Sequence, residues 1–302
     1  MTKKEMEKNN EKKLKIKNRI FEKILTIILN SIFTVAKILN LFIKIKKIKV
    51  TRYGKSFYVT GNLKYFLHWK NKSWEYNTHR IFSKFLDKDH SYIDVGAFIG
   101  ATVLYGVQFA KKVYAIEPDP IAFGELEKNV LLNPLLKEKI KLYKKCLYNK
   151  TEKVKFGSMT GGGDSISSLR HADSKISWEV DGITIEDFIK ENKIDDCNFI
   201  KMDIEGGEAL VLPSMKNYLM ENKTALYLSM HPRFFSDSIE DTRKIIDVLK
   251  IYKNIYTDNG EKIKTNDLLL KERLNKNYAI IATDNEYNPN WFLIDKFIIF
   301  FF

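Results

Sequence analysis

The fold is decided by the stretch YIDVGAFIG, which runs from Tyr92 to Gly100. Four residues typical of a buried strand lead into a turn with two glycines, and a helix is predicted to follow. Gly96 lets a ligand approach the backbone closely, and Gly100 permits the turn and the tight start of the helix. The N-terminal amides and positive dipole end of such a helix favour an electron-rich ligand. The stretch therefore predicts a ligand-binding βα unit, with a tight turn that binds nothing as the alternative.

Strands and helices alternate along the central part of the chain. The residue pattern predicts strands at 56–60, 92–95, 112–116, 140–147, 199–202, 225–230, 251–257 and 278–283, and helices at 74–86, 123–131, 185–191 and 239–249, with one more from about 101. This alternation is typical of an α/β domain with a mostly parallel sheet and helices on both faces.

A carboxylate stands at the end of the second strand of this pattern, where Ile116 is followed by Glu117. A carboxylate at that place is the standard acceptor for two ribose hydroxyls, and a solvent-facing glutamate is the alternative. The spacing from Gly96 to Glu117 therefore predicts a cofactor that contains adenosine.

Further residues distinguish between adenosine cofactors. The turn from Gly96 to Gly100 lacks the G-x-G-x-x-G pattern that holds the pyrophosphate of nicotinamide cofactors. Asp94 would repel a pyrophosphate, but it suits the amino acid end of S-adenosyl-L-methionine, directly or through water. A later strand ends in KMDIEGGE, from Lys201 to Glu208, at the edge where ligands lie in such sheets. These features favour S-adenosyl-L-methionine as the cofactor.

Four motifs together resemble the FkbM family of methyltransferases. They are DVGAFIG at 94–100, IEPD at 116–119, KMDIEGGE at 201–208 and MHP at 230–232. The resemblance covers residues 74–283. It implies a Rossmann-like class I methyltransferase fold, with a seven-stranded sheet of six parallel strands and a reversed seventh. It also implies methyl transfer to a hydroxyl of a sugar or polyketide-like acceptor, and therefore a small-molecule or glycan partner. Carried over, it assigns Asp94, Gly96 and Gly100 to the methionine end of the cofactor and Glu117 to the ribose.

Two positions depart from the family's pattern. Phe98 stands where many relatives have Asn, and an acidic residue often found before the His-Pro pair is replaced near Ser229. Weakened cofactor binding would follow if these polar contacts are needed, so a non-catalytic, membrane-associated module that retains the fold is an alternative. A nicotinamide-dependent dehydrogenase is a second one, disfavoured by the missing third glycine and by Asp94.

Methyl transfer to oxygen requires positioning and a group that removes the hydroxyl proton. His231 is the first candidate because its unperturbed pKa lies near neutrality. Asp203 and Glu205 could instead take the proton, orient the acceptor or hold a divalent cation with His231. Glu75 could reach the cofactor or be buried beside a helix. The remaining histidines are predicted at the surface: His68, His79, His90 and His171.

Positive charge is concentrated at the start of the chain. Of the net charge of +13, residues 1–52 carry +11, from fifteen Lys or Arg and four Glu, which leaves +2 for the remainder. A near-neutral body gives no reason to expect a nucleic-acid partner. Residues 203–206 also lack the Asp/Asn-Pro-Pro-aromatic sequence typical of methyltransferases that act on nucleic-acid bases.

Cys146 and Cys197 lack metal-ligand spacing and are predicted as reduced thiols of a cytoplasmic protein.

The leader over residues 1–50 contains a predicted amphipathic helix at 20–43. Its polar positions recur every seven residues, and its other positions are mostly apolar. Lysines flank the helix, which favours an anionic membrane surface as a partner of residues 20–49; packing on protein and a tilted membrane span are the alternatives.

We further predict a lead-in strand and helix over 51–90, a catalytic domain over 91–285 and an apolar tail over 286–302. The oligomeric state stays open.

Overall fold

The computed structural model describes residues 47–71, 74–159 and 161–286. The predicted amphipathic helix at 20–43 lies outside these residues, and so does the predicted apolar tail beyond residue 286. No helix within the described ranges is long and apolar enough to cross a membrane.

The chain divides into two compact units. Among the described residues, the first unit contains 47–48 and Thr60–Asn71 and holds the helix Leu63–Lys70. The second unit contains Lys49–Val59 and the described residues from 74 onward. All four motifs singled out in the sequence therefore belong to the second unit.

The strands are β1 (Ile48–Arg52), β2 (Lys55–Val59), β3 (Ser91–Val95), β4 (Lys112–Ile116), β5 (Ile140–Tyr143), β6 (Cys146–Leu147), β7 (Lys153–Ser158), β8 (Ile176–Ile183), β9 (Cys197–Met202), β10 (Ala225–Met230), β11 (Asn254–Thr257), β12 (Lys262–Ile263) and β13 (Tyr278–Thr283). The α-helices are α1 (Leu63–Lys70), α2 (Tyr76–Phe85), α3 (Ala101–Gly106), α4 (Pro120–Leu131), α5 (Pro134–Lys137), α6 (Ile185–Asn192), α7 (Glu208–Val211), α8 (Lys216–Asn222), α9 (Ser238–Leu249) and α10 (Lys271–Leu274). Short 3₁₀ helices are formed by Leu169–His171, Leu212–Met215, Pro232–Phe234 and Thr265–Leu269.

The main sheet has the strand order β12-β11-β13-β10-β9-β3-β4-β5. Strands β10, β9, β3, β4 and β5 pair in parallel, and β13 runs antiparallel to both β10 and β11. This arrangement confirms the predicted mostly parallel sheet with a reversed strand. The short β12 adds an eighth strand at the edge that the sequence pattern did not predict.

The ends of three central strands are aligned. Val95, the last residue of β3, pairs with Ile116 of β4 and with Met202 of β9. Gly96, Glu117 and Asp203 are the next residues in their segments, so they emerge side by side at the carboxyl edge of the sheet. This edge is where ligands lie in open α/β sheets.

Both faces of the central strands are buried in the hydrophobic core. Every residue of β3 is buried, although alternate side chains point to opposite faces, so helices must cover both sides. Ile93, Ile200 and Leu226 belong to one continuous hydrophobic cluster. Each buried aliphatic side chain of this kind contributes about 1.5–3 kcal/mol relative to exposure. This burial fixes the strand ends that carry the polar residues.

A second, three-stranded sheet has the order β6-β8-β7, where β6 and β8 are parallel and β7 and β8 are antiparallel. The prediction of a single strand at 140–147 was wrong, because the chain leaves the main sheet after Tyr143. Its last residues form β6 and pair with Gly182 and Ile183 of β8. The strands β7 and β8 were missed because one of their faces is exposed, which interrupts the apolar runs.

The prediction that His79 is a surface residue was wrong. Its side chain is 1% exposed, and its ring centroid lies 4.3 Å from that of Tyr105. Burial lowers the pKa of His79 to about 3, so the ring is neutral. The reason is that α2 is buried on all sides over the run from Thr78 to Phe82, because five consecutive helical residues span more than one turn.

Candidate active site

A cleft opens at the carboxyl ends of β3, β4 and β9. It has about 540 Å³ of empty volume, part of which is open solvent. The residues that line it include Gly96, Phe98, Glu117, Asp164, Asp203 and Glu205. The cleft therefore joins two predicted cofactor residues to two predicted catalytic residues.

Gly96 allows the turns after β3 and β9 to touch. Its φ of 79° lies in the left-handed region, and a Cβ built there would lie 1.8 Å from the carbonyl oxygen of Asp203. Gly100, with a φ of 93°, is the N-cap of α3, and a Cβ there would lie 2.7 Å from Cδ1 of Leu126. Gly96 therefore requires glycine for a conformational and a steric reason, and Gly100 requires it for its positive φ.

The carboxylate of Glu117 is held by two backbone N–H groups. That of Phe98 donates to Oε2 at 2.7 Å, and that of Asp119 donates to Oε1 at 2.8 Å. Burial raises the pKa of Glu117 to about 7, although both donors favour the ionised form. A carboxylate offers about four acceptor positions, so each oxygen retains one for a hydroxyl. Phe98 contributes through its backbone N–H, which any residue except proline would supply at this position.

Asp94 is fully buried and forms an ion pair with Lys201. Nζ of Lys201 lies 3.0 Å from Oδ1 of Asp94, and Oγ1 of Thr102 donates to Oδ2 at 2.6 Å. The same ammonium donates to the carbonyl oxygen of Gly96 at 3.0 Å. Asp94 is thus linked to the glycine turn through Lys201. Its assignment to the methionine end of a cofactor stays a prediction.

Glu75 interacts electrostatically with Lys201 and Asp203 from the start of α2. Its backbone is left-handed, with a φ of 57°, and Oγ1 of Thr78 donates to Oε2 at 2.5 Å. Burial and the charge of Asp203 raise the pKa of Glu75, and Lys201 opposes this shift. Glu75 therefore lies on the side of the site that contains Lys201, and its role toward a cofactor stays a prediction.

The three predicted catalytic residues lie together. Nε2 of His231 is 3.6 Å from Oδ1 of Asp203 and 3.5 Å from Oε2 of Glu205. One ligand atom from each of the three side chains lies within 4.8 Å of the other two. Such a group can exchange a proton with a bound hydroxyl or hold a divalent cation.

Glu208, which we did not predict as a site residue, orients His231. Its Oε1 lies 2.8 Å from Nδ1 of His231 and accepts two backbone N–H groups at 3.3 Å each. Burial alone would lower the pKa of His231, but Glu208 and the other nearby carboxylates raise it to about 9. Burial also raises the pKa of Glu205 to about 7. Glu208 is the last residue of the motif KMDIEGGE, and its place in this motif could have identified it as a site residue.

Arg170 fastens the turn after β9 to a neighbouring segment. Its Nε donates to the carbonyl oxygen of Gly206 at 2.9 Å, and its Nη2 donates to Oδ2 of Asp241 at 2.9 Å. Its Nη1 donates to Oγ of Ser236 at 2.7 Å. Arg170 lies outside every motif that the sequence singles out, so no sequence signal pointed to it.

Asp119 ties the loop between β7 and β8 to the start of α4. Its Oδ1 caps the helix by accepting backbone N–H groups of the first turn. Its Oδ2 accepts the N–H of Gly163 at 2.6 Å and the hydroxyl of Ser167 at 2.7 Å. Asp164 and Ser167 line the cleft, so this loop forms part of the cleft wall.

The family model described as "Methyltransferase FkbM domain" matches residues 94–256. No curated protein matches the chain. Similar solved structures include a methyltransferase FkbM from Methylobacillus flagellatus, with 21% identity, a TM-score of 0.44, and coverage of 65% of this chain and 44% of that chain. A precorrin-6y C5,15-methyltransferase from Geobacter metallireducens has 11% identity, a TM-score of 0.38, and coverage of 70% of this chain and 88% of that chain. The chain thus spans less than half the length of the first of these structures.

Proposed function

The chain belongs to the FkbM methyltransferase family, and we propose that it uses S-adenosyl-L-methionine to methylate a hydroxyl of a small-molecule or glycan acceptor. The observation that carries this proposal is the continuity of one cleft. It runs from the glycine turn and Glu117 to the carboxylates of Asp203 and Glu205, which lie beside His231. Residues suited to a nucleoside cofactor and residues suited to acid–base work thus share one space.

The residues on the cofactor side fit an adenosine compound. Glu117 has one acceptor position per oxygen left for the ribose hydroxyls, and Gly96 leaves room against the backbone of Asp203. Glu75 and Asp203 offer carboxylates to the amino group at the methionine end, next to the Asp94–Lys201 pair. When bound, S-adenosyl-L-methionine supplies an electrophilic methyl group on a sulfonium centre.

The residues on the acceptor side fit a hydroxyl. Asp203 and Glu205 line the cleft and can accept hydrogen bonds from it, and the cluster that they form with His231 can take up its proton. Correct positioning can supply about 7–11 kcal/mol of the barrier reduction, and a proton acceptor typically adds about 10²–10⁴-fold in rate. The chain therefore needs to hold the acceptor oxygen in line with the methyl group more than it needs a strong base.

Isothermal titration of the full chain with S-adenosylmethionine, S-adenosylhomocysteine and NAD tests the cofactor. We expect saturable binding of the two sulfur compounds and none of NAD. Glu117→Gln should weaken binding at least about tenfold, because each lost charge-assisted hydrogen bond contributes about 1.5–3 kcal/mol. Glu127→Gln is the matched control, since Glu127 is an exposed glutamate on α4, the helix that follows Glu117, and this variant should bind as the wild type does.

The two alternative functions give different titration results. Binding of NAD alone would favour a nicotinamide-dependent dehydrogenase. No binding of any of the three compounds would favour a non-catalytic module that keeps the fold. Either result would overturn the proposed function.

A further inference from the structure

The cluster of Asp203, Glu205 and His231 has the composition of a metal centre. It offers one imidazole nitrogen and two carboxylate oxygens, all within 4.8 Å of one another. We propose that these three side chains bind a divalent transition-metal cation at the acceptor end of the cleft. The inference does not depend on the identity of the cofactor or of the acceptor.

The donor atoms of the cluster are farther apart than hydrogen-bonded partners would be. Nε2 of His231 lies 3.5 and 3.6 Å from the nearest carboxylate oxygens, whereas a charged hydrogen bond between such groups is about 2.7–2.9 Å long. Ligands about 2.0–2.2 Å from a shared metal ion are themselves separated by distances of this order. The side chains are therefore spaced for an ion between them better than for direct hydrogen bonds.

The ring of His231 is oriented by a buried carboxylate. Its side chain is 8% exposed, and its Nδ1 is held at 2.8 Å by Glu208, whose side chain is fully buried. In metal centres, a carboxylate bound to one nitrogen of a ligand histidine fixes the ring and presents the other nitrogen to the metal. Here the presented atom is Nε2, which faces Asp203 and Glu205.

The site contains more carboxylates than basic side chains. His231 is surrounded by the carboxylates of Asp203, Glu205 and Glu208. Lys201 is surrounded by those of Asp94 and Glu75, and again by that of Asp203. Negative charge thus exceeds positive charge even when both bases are protonated. Oε2 of Glu208 is also buried without a hydrogen-bond partner among the described residues. A divalent cation would reduce this excess.

The mixed donor set selects among cations. Imidazole suits Zn²⁺ and Fe²⁺, and Mn²⁺ accepts the carboxylates, whereas Mg²⁺ and Ca²⁺ prefer oxygen ligands alone. Three protein ligands leave coordination positions open for an oxygen of a bound molecule. Because Asp203 and Glu205 line the cleft, a cation there would be within reach of an acceptor hydroxyl. We therefore expect Mn²⁺ and Zn²⁺ to bind more tightly than Mg²⁺.

The test is direct binding of Mn²⁺ to the untagged, chelator-treated full chain, followed by electron paramagnetic resonance and calorimetry. We expect one site per chain, with competition by Zn²⁺. Asp203→Asn and His231→Asn should abolish Mn²⁺ binding. Glu208→Gln should weaken Mn²⁺ binding about 10–100-fold, because only the orientation of His231 is lost. His90→Asn is the matched control, since His90 is an exposed histidine paired with Asp87.

Two results would overturn the inference. One is the absence of Mn²⁺ and Zn²⁺ binding to the wild type at millimolar concentration. The other is binding that survives both Asp203→Asn and His231→Asn. Circular dichroism must show that each variant is folded, and Asp203→Asn keeps the test available if the more buried His231 variant unfolds. Binding of S-adenosylhomocysteine without metal binding would remove this inference and leave the proposed function intact.

Discussion

Lys201 and Asp94 form a buried ion pair, with Nζ 3.0 Å from Oδ1 and side chains 3% and 0% exposed. The two residues are on adjacent parallel strands and pair in register. Burial opposes the charge of Lys201, but nearby carboxylates outweigh it and raise the pKa of the ammonium; they belong to Asp94, Asp203 and Glu75. Lys201 therefore stays charged, whereas burial raises the pKa of Asp94 against the opposing effect of Lys201. The pair links the glycine turn to β9.

Lys201→Met should destabilise the protein by about 3–5 kcal/mol, because it leaves the carboxylate of Asp94 buried without its partner. Urea denaturation measures the change. The matched control is Lys216→Met, which breaks an exposed pair with Asp247 and should leave the denaturation midpoint close to that of the wild type. Equal stability of the Lys201→Met protein would show that the pair does not hold the turn.

Gly96→Ala should abolish cofactor binding and destabilise the fold beyond the cost of a left-handed residue. Gly54→Ala separates the two effects, because Gly54 has a φ of 75° with no atom within 4 Å of its built Cβ. The control should cost about 1–2 kcal/mol for conformation alone. Gly96→Ala also places a Cβ 1.8 Å from a carbonyl oxygen. Thermal melts that show equal losses for both variants would contradict the close contact between the two turns.

Cofactor affinity should rise with pH through about 7, because Glu117 accepts hydroxyl hydrogen bonds best when ionised. Below its pKa, binding must first remove a proton from Glu117, so the dissociation constant should increase by up to about tenfold per pH unit. The groups that face Glu117 are Asp119, Lys201 and Cys146.

Calorimetry with S-adenosylhomocysteine between pH 6 and 8, in a buffer with chelator, measures this dependence. Glu117→Gln should flatten it, since the amide does not titrate. An unchanged slope in the variant would assign the pH dependence to another group.

Asp119→Asn should loosen the loop between β7 and β8 while it keeps α4 capped, because Asn is also a good N-cap. The amide nitrogen that replaces Oδ2 cannot accept from Gly163 and Ser167. Hydrogen exchange should increase in residues 158–168, and affinity for S-adenosylhomocysteine should fall. Asp237→Asn is the matched control, since Asp237 caps α9 and is exposed. Unchanged exchange in the Asp119 variant would mean that the loop is held by other contacts.

The local pattern of the sequence was sufficient to predict the strand ends. The apolar runs that precede Gly96, Glu117 and Asp203 are buried strands, and parallel strands bring their carboxyl ends to one edge. The same rule brought His231 to that edge after β10. Local pattern could also mislead, because the strand-like segment at 140–147 continues through a place where the chain changes sheets.

The sequence pattern did not predict which side chains far apart in the chain form pairs. Lys201 and Asp94 are 107 residues apart, and Arg170 and Asp241 are 71 apart. Which side chains meet across such distances depends on helix packing and loop paths, which periodicity does not encode. His79 was wrongly predicted at the surface for a related reason, because only the packed structure shows how much of α2 is buried.

A crystal structure of the full chain with S-adenosylhomocysteine tests the central claim most directly. The account predicts ribose hydroxyls within hydrogen-bond distance of Glu117, and a sulfur atom that faces the cluster of Asp203, Glu205 and His231. A nucleoside bound elsewhere, or a sulfur atom that faces away from this cluster, would contradict the claim that one cleft holds both the cofactor and the acceptor.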